Sequence, residues 1–156
     1  MKRTLLIAMF TTLALVLIST AGFAQGKGKT TARSQAREGD EVWVIVNTIK
    51  ADKREQFEKW VFEIFWPAGL KKLTGNQRKA FQQTRILAPT KANDDGTWSY
   101  LYLMDPVAKD SNYDVETLLK QLFSEQQARE YGQMLQGTYA KPQFDYLQKQ
   151  TRSLNQ

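Results

Sequence analysis

The sequence of 156 residues contains no histidine and no cysteine. Without histidine the chain lacks the commonest haem and metal ligand, and also the side chain best suited to general base catalysis near neutral pH. Without cysteine it has no thiolate chemistry, no thiolate zinc site and no disulfide. We therefore predict no metal site and no cofactor, and we expect a hydrophobic core to supply the stability of the fold.

Long apolar runs are also scarce, and the one that stands out is residues 5–18. Lys2 and Arg3 precede this run and small residues follow it, a pattern typical of a secretory signal peptide over residues 1–24 with cleavage before Gln25. An uncleaved anchor is the alternative, although the run is short for a bilayer span. We predict that the protein is exported to the periplasm or the extracellular space, with no stable membrane insertion after cleavage.

The segment after the leader, residues 25–40, shows no apolar periodicity and is rich in small and charged side chains. It is predicted to be a flexible linker before one domain over residues 41–150, with a tail at 151–156. The formal charge is +6 for the whole chain, and losing Lys2 and Arg3 with the leader leaves +4. Because this excess is mild and lacks interleaved aromatic residues, we expect no nucleic-acid partner.

Alternating apolar residues predict strands at 41–50, 81–89 and 97–104, and a short terminal strand or tail at 143–150. A first helix is predicted to begin at a capping box and to bend or end near a proline, with a short helical continuation that stops at a glycine. Asp52 and Glu55 form the capping box, Pro67 is the proline, and Gly75 is the glycine. The apolar stripe of this helix consists of Phe57, Trp60, Val61, Ile64 and Phe65.

Residues 110–114 have the acidic spacing of a calcium loop, but the glycine and the glutamate that such a loop requires are missing. We therefore interpret Asp114 as the N-cap of a second long helix. Ser124 and Gln127 form a capping box for a further helix that ends at about Gln136.

The predicted order of elements is β-α-β-β-α-(α)-β. This order is typical of the α+β class, in the ferredoxin-like split βαβ arrangement, with an antiparallel sheet and helices on one of its faces. Both faces of the predicted strands carry apolar side chains, so the second face also needs a cover. A second copy of the chain is the simplest cover, and we predict a homodimer.

Three segments, VWVIVNTIKADKREQFEKW, TWSYLYLMDPVA and YGQMLQGTYAKPQ, resemble the dimeric α+β barrel superfamily. The chain is most similar there to antibiotic-biosynthesis-monooxygenase-like domains, over about residues 41–150. The resemblance implies a dimeric α+β barrel, and its members include cofactor-free oxygenases, haem-degrading enzymes and chlorite dismutases. The lack of histidine departs from the haem-binding members, and the fold by itself selects no activity.

The strands indicate a lined cavity. Trp43 and Asn47 share one face of the first strand, and Tyr100 and Tyr102 share one face of the third. A mixed aromatic and polar face is typical of a small-molecule site. The candidate ligand-binding residues are Trp43, Asn47, Arg85, Tyr100 and Tyr102, with Thr84 in place of Arg85 if the register of the second strand differs by one. If a haem were bound in this cavity, its iron ligand would be Tyr100 or Tyr102.

The purely aliphatic faces, which include Leu101, are expected to pack under the helices. The aromatic face is expected to meet a dimer partner, with a ligand between the sheet and that partner or between the sheet and the covering helices. Three functions remain open: binding of a hydrophobic or aromatic small molecule, cofactor-free monooxygenase activity, and a structural dimer whose barrel is filled by its own aromatic side chains.

Overall fold

The computed structural model describes residues 35–152. The predicted signal peptide, residues 25–34 of the predicted linker and residues 153–156 lie outside this range. In the part of the chain that is described, no helix has both the length and the hydropathy needed to cross a bilayer.

Four antiparallel strands form one sheet in the order β2-β3-β1-β4. The strands are β1 Glu41–Ile49, β2 Arg85–Leu87, β3 Trp98–Met104 and β4 Phe144–Lys149. Together with the helices between β1 and β2 and between β3 and β4, this order is the ferredoxin-like split βαβ arrangement. The predicted α+β fold class and antiparallel sheet are confirmed, and the terminal segment is a strand.

The second strand is much shorter than predicted. Helix α3, Gly75–Gln83, contains the first residues of the predicted strand, so that β2 retains three residues. Gly75 was expected to end a helix, but it begins this one, with a φ of 54° that favours glycine. The segment Phe81–Gln83 has too few alternating residues to distinguish a strand from the end of a helix.

The first helical region continues through Pro67. A short 3-10 turn at Ala51–Lys53 replaces the predicted capping box, because its N-cap is Lys50, which makes no side-chain cap bond. Helix α1 (Arg54–Lys59), a π-helical turn (Trp60–Phe65) and helix α2 (Trp66–Lys72) then follow one another directly. Pro67 lies in the first turn of α2, where its missing N–H group is tolerated.

Two helices follow β3, and both begin at the predicted caps. Helix α4, Val115–Leu122, starts after Asp114, whose carboxylate accepts a hydrogen bond of 2.8 Å from the Thr117 N–H group. Helix α5, Glu125–Gln136, starts with the capping box of Ser124 and Gln127. The interpretation of Asp114 as a helix cap is therefore confirmed.

All helices pack on one face of the sheet, and this face is the opposite of the predicted one. Tyr100 and Ile49 are fully buried in a core cluster with residues of α1, the π-helical turn, α4 and α5. Leu101 points to the other face, which none of the described helices covers. The prediction that Leu101 packs under the helices and Tyr100 at a dimer partner is wrong. Alternation assigns side chains to two faces but does not say which face the helices cover.

The end of the predicted linker is attached to the domain. The Ala36 N–H group donates to the Asp105 carboxylate at 2.8 Å, and the Gly39 N–H group donates to the Gln150 carbonyl at 2.9 Å. These bonds place residues 36–40 beside the ends of β3 and β4.

Candidate functional site

A cavity of about 1210 Å³ lies between the helix-covered face of the sheet and the helices. The sheet contributes Trp43, Ile45, Tyr102 and Met104 to its wall, and further aromatic side chains come from the π-helical turn and from α2 and α3. An apolar wall with a few polar groups is typical of a small-molecule site.

The π-helical turn supplies two of the aromatic walls. Trp60 and Phe65 are five positions apart, and their rings stack with centroids 4.7 Å apart and an interplanar angle of 17°. The Trp60 indole N–H group donates to the Tyr131 carbonyl at 2.9 Å, which ties this wall to α5. Turns with an i→i+5 hydrogen bond are rare in proteins, and many of those known lie at functional sites.

Phe81 from α3 closes the wall next to this stack. Its ring lies 4.8 Å from the Trp66 ring and 5.3 Å from the Phe65 ring, measured between centroids. This position requires glycine at Gly69, because a Cβ atom there would lie 2.1 Å from an atom of the Phe81 ring. The close approach of α2 and α3 therefore depends on Gly69.

The register of the strands brings four of the five predicted residues to one face. Trp43 is opposite Met104, Asn47 is opposite Tyr100, and Ile45 lies opposite Tyr102. Of the predicted residues, Trp43 and Tyr102 line the cavity.

Tyr100 and Asn47 lie on the same face but are sealed in the core. The Tyr100 hydroxyl donates to the Glu58 carboxylate in a short hydrogen bond, and its ring lies 4.7 Å from that of Phe57. The Asn47 side-chain oxygen accepts from the Gln143 amide. Asn47 Nδ2 is the one buried side-chain nitrogen or oxygen of residues 35–152 without a partner. Both residues support the wall and do not line it.

Arg85 does not belong to the site. It is opposite Leu103 in the sheet, which places it on the uncovered face, and its guanidinium group pairs with the Asp105 carboxylate at 3.2 Å. The neighbouring residue Thr84 lines the cavity instead, as the alternative register predicted. A shift of one residue in a strand exchanges its two faces, which explains this correction.

Two tyrosine side chains are among the polar groups of the cavity wall. Tyr102 and Tyr139 line it, and neither hydroxyl has a hydrogen-bond partner among the described residues. Both side chains are half-buried. Burial raises the pKa of Tyr102 and of Tyr139 well above the ordinary value, so both are neutral donors.

Tyr139 was missed from the sequence because it lies in a loop without periodicity. The backbone of Tyr139 forms an isolated antiparallel bridge with Ile49 at the end of β1. Neighbouring bonds connect Ala140 to Thr48 and Lys50 to Thr138. The bridge places Tyr139 beside a strand, and the small and polar residues around it in the sequence gave no signal of this position.

The mouth of the cavity contains most of its charged side chains. The Trp43 indole N–H group donates to the Asp145 carboxylate at 2.5 Å, and the Trp43 ring meets the Tyr113 ring edge to face at 5.6 Å. In helices α4 and α5, two acidic and two basic side chains of the mouth form ion pairs within their own helix. No group of three or more potential metal ligands occurs in the described range.

One solved structure is similar to this chain. It is from Caulobacter crescentus and is described as "a putative antibiotic biosynthesis monooxygenase"; the match has a TM-score of 0.40 and 15% sequence identity, and covers 74% of this chain and 92% of that chain. No protein-family model and no curated protein matches the sequence.

Proposed function

We propose that the domain binds a hydrophobic or aromatic small molecule in the cavity between the sheet and the helices. The observation that carries this proposal is the aromatic cavity of about 1210 Å³ with two unpartnered tyrosine hydroxyls on its inner wall. Small-molecule sites are mostly apolar and contain a few polar groups that orient the ligand. Tyr102 and Tyr139 are suited to that role because a neutral tyrosine hydroxyl can both donate and accept a hydrogen bond.

The size of the cavity argues against the filled barrel. Ligand sites for small organic molecules measure roughly 300–1,000 Å³. The cavity here, including its mouth, is at least as large. Trp60 and Phe65 are buried in the wall, whereas Trp43, Tyr102 and Tyr139 are half-buried and leave accessible surface along the cavity.

A neutral fluorescent probe, N-phenyl-1-naphthylamine, tests this proposal. We expect a saturable increase of its fluorescence with one probe per chain. Gly132→Phe should abolish the increase, because Gly132 lines the cavity and the nearest atom to an added Cβ is 3.8 Å away. Gln126→Phe, on the exposed part of the same helix, is the matched control and should bind normally.

Either of two results would contradict the proposal. The first is a folded wild-type protein whose titration shows no saturable change. The second is a Gly132→Phe variant that binds the probe as well as the Gln126→Phe control does, since the probe would then lie elsewhere.

We rank binding above cofactor-free oxygenase activity. The tyrosines of the inner cavity have a raised pKa, which moves their proton transfer away from neutral pH. Oxygen consumption that depends on both the protein and a reduced aromatic substrate would favour the oxygenase instead.

We also propose that the domain is a homodimer that pairs through the uncovered face of the sheet. Val42, Val44 and Val46 lie on this face beside two residues of β4, Phe144 and Tyr146, which are 47% and 54% exposed. An apolar sheet face of this kind is typical of a protein interface. The ligand site lies on the other face, so each copy has its own cavity.

Export remains part of the proposal. It is supported by the leader at residues 1–24, which lies outside the described range. N-terminal sequencing of protein recovered from outside the cytoplasm should find Gln25 first. Recovery of exported protein that begins at Met1 would favour the uncleaved anchor.

A further inference from the structure

We propose that the ligand of this cavity is a hydrophobic or aromatic amine, whose ammonium group lies at the mouth between the Asp145 carboxylate and the rings of Trp43 and Tyr113. This inference rests on the proposed function, because it names the ligand class for the same cavity. It is carried by the charges and the aromatic rings at the mouth.

The mouth is acidic although the chain is basic. The charged residues that line the cavity are four acidic and two basic side chains, a sum of −2, whereas the whole chain has a formal charge of +6. A cleft lined by one sign of charge concentrates ligands of the opposite sign. The acidic residues are Asp114, Glu116, Glu125 and Asp145, and the basic ones are Lys120 and Arg129.

The ion pairs of the mouth leave Asp145 available. Lys120 pairs with Glu116, and Arg129 pairs with Glu125, each within one helix. Asp145 has no cationic partner in residues 35–152. One of its oxygens, Oδ2, accepts the Trp43 N–H group at 2.5 Å. The other oxygen is free to accept a hydrogen bond from an ammonium group.

Asp114, the fourth acidic residue, has a different role. Its carboxylate accepts the Thr117 N–H group at 2.8 Å and so caps α4. Asp114 adds negative potential to the mouth next to Tyr113, but its carboxylate is oriented towards the N-terminus of α4. We therefore assign the direct contact to Asp145.

The rings of Trp43 and Tyr113 form a corner beside Asp145. They meet at an interplanar angle of 84° with centroids 5.6 Å apart. The Tyr113 hydroxyl accepts the Ala108 N–H group at 2.9 Å, which holds this ring in place. The faces of aromatic rings attract organic cations, and tryptophan does so most strongly. A carboxylate beside such a corner is the arrangement that an alkylammonium group fits.

The same mouth disfavours a carboxylate ligand. Both of its basic side chains are already paired, and an anionic ligand would approach a net negative charge. The inner wall offers neutral hydroxyls of Tyr102 and Tyr139, which hydrogen-bond to a ligand of any charge. Charge selection therefore takes place at the mouth.

Three ligands with the same naphthyl group test the inference by calorimetric titration: 2-naphthylmethylamine, 2-naphthylmethanol and 2-naphthoic acid. We expect the amine to bind about tenfold more tightly than the alcohol, and the acid to bind most weakly. Added salt should reduce the preference for the amine, because the mouth is open to solvent.

Asp145→Asn should remove most of the preference for the amine and leave the affinity for the alcohol unchanged. The asparagine oxygen can still accept the Trp43 N–H group, so the corner of rings is retained. Glu125→Gln is the control, because it removes a carboxylate that is already paired with Arg129. This variant should keep the preference.

The outcomes separate this inference from the proposed function. Equal affinity for the amine and the alcohol, or a preference that survives in Asp145→Asn, would overturn the inference while binding in the cavity stands. The inference also fails if N-phenyl-1-naphthylamine binds and 2-naphthylmethylamine does not. If neither the neutral probe nor any naphthyl ligand binds, the proposed function itself is wrong.

Discussion

The rings of Trp60 and Phe65 stack in parallel because a π-helical turn brings residues five positions apart one above the other. In a regular α-helix, side chains three or four positions apart are the neighbours. The turn therefore places two stacked aromatic rings in the wall of the cavity. A single local departure from α-helical geometry thus shapes the site.

Phe65→Leu is expected to reduce the free energy of unfolding by about 1–2 kcal/mol. The substitution retains a large apolar side chain but loses the stacked pair, which contributes about 0.5–1.5 kcal/mol beyond its buried area. Urea unfolding followed by circular dichroism measures this change. Phe62→Leu in the same turn is the control, because Phe62 is 47% exposed and a change there should stay within about 0.5 kcal/mol.

The hydrogen bond from Tyr100 to Glu58 predicts a dependence of stability on pH. This bond is the main cause of the lowered pKa of Glu58, with a further contribution from Arg54. Because the pKa of Glu58 is lower in the folded protein than its ordinary value of 4.5, ionised Glu58 stabilises the fold, and this stabilisation is complete above pH 4.5. The stabilisation is lost as the pH falls through the pKa that Glu58 has in the folded protein. The wild type should therefore lose stability below about pH 4.5.

Tyr100→Phe tests this dependence. At neutral pH the variant should be about 1–2 kcal/mol less stable, because a hydrogen bond to a charged group is lost. Between neutral pH and acid it should lose less stability than the wild type does, so the two curves should converge. Parallel curves from pH 7 to pH 3 would show that this hydrogen bond does not control the titration of Glu58.

The proposed dimer is tested by Val44→Asp. Val44 is opposite Leu103 on one side and Tyr146 on the other, in the middle of the uncovered face. A charge buried there in both copies should raise the dissociation constant of the dimer at least hundredfold, about 3 kcal/mol. Light scattering and sedimentation should then report folded monomers.

Phe62→Asp is the control for the dimer. It places the same charge on an exposed apolar residue of the helical layer, away from the sheet. This variant should remain a dimer. A wild-type protein that is monomeric at micromolar concentration would contradict the proposed dimer. A Val44→Asp variant that still forms dimers would contradict it as well.

Periodicity was sufficient to predict the first, third and fourth strands and the shared face of four of the five candidate site residues. Trp43 is opposite Met104, which shares a face with Tyr102 by alternation, so the observed register puts Trp43 and Tyr102 on one face. The helix caps at Asp114 and Ser124 were also predictable, because capping depends on a few adjacent residues. These features are local, or follow from one alternation rule.

The covered face was not predictable, because both faces of the sheet are apolar. A tyrosine hydroxyl such as that of Tyr100 suggests an open or wet face, yet its partner, Glu58, comes from a helix. That pairing depends on how the helix docks, which no short window of sequence contains. Arg85 was misplaced for a similar reason, since a shift of one residue at the start of β2 reverses its face.

Gly132 is predicted to reduce the stability of helix α5 while it keeps the cavity wide. It lies in the interior of the helix, lines the cavity, and has no atom closer than 3.8 Å to the position of an added Cβ. Gly132→Ala should therefore raise the free energy of unfolding by about 0.5–1 kcal/mol, because glycine is a poor helix former. The same methyl group narrows the cavity, so affinity for N-phenyl-1-naphthylamine should fall several-fold. Thermal unfolding and fluorescence titration measure the two effects on one sample. Gln126→Ala, on the exposed side of α5, should leave the affinity unchanged. If Gly132→Ala binds the probe as the wild type does, the ligand does not reach this part of the wall.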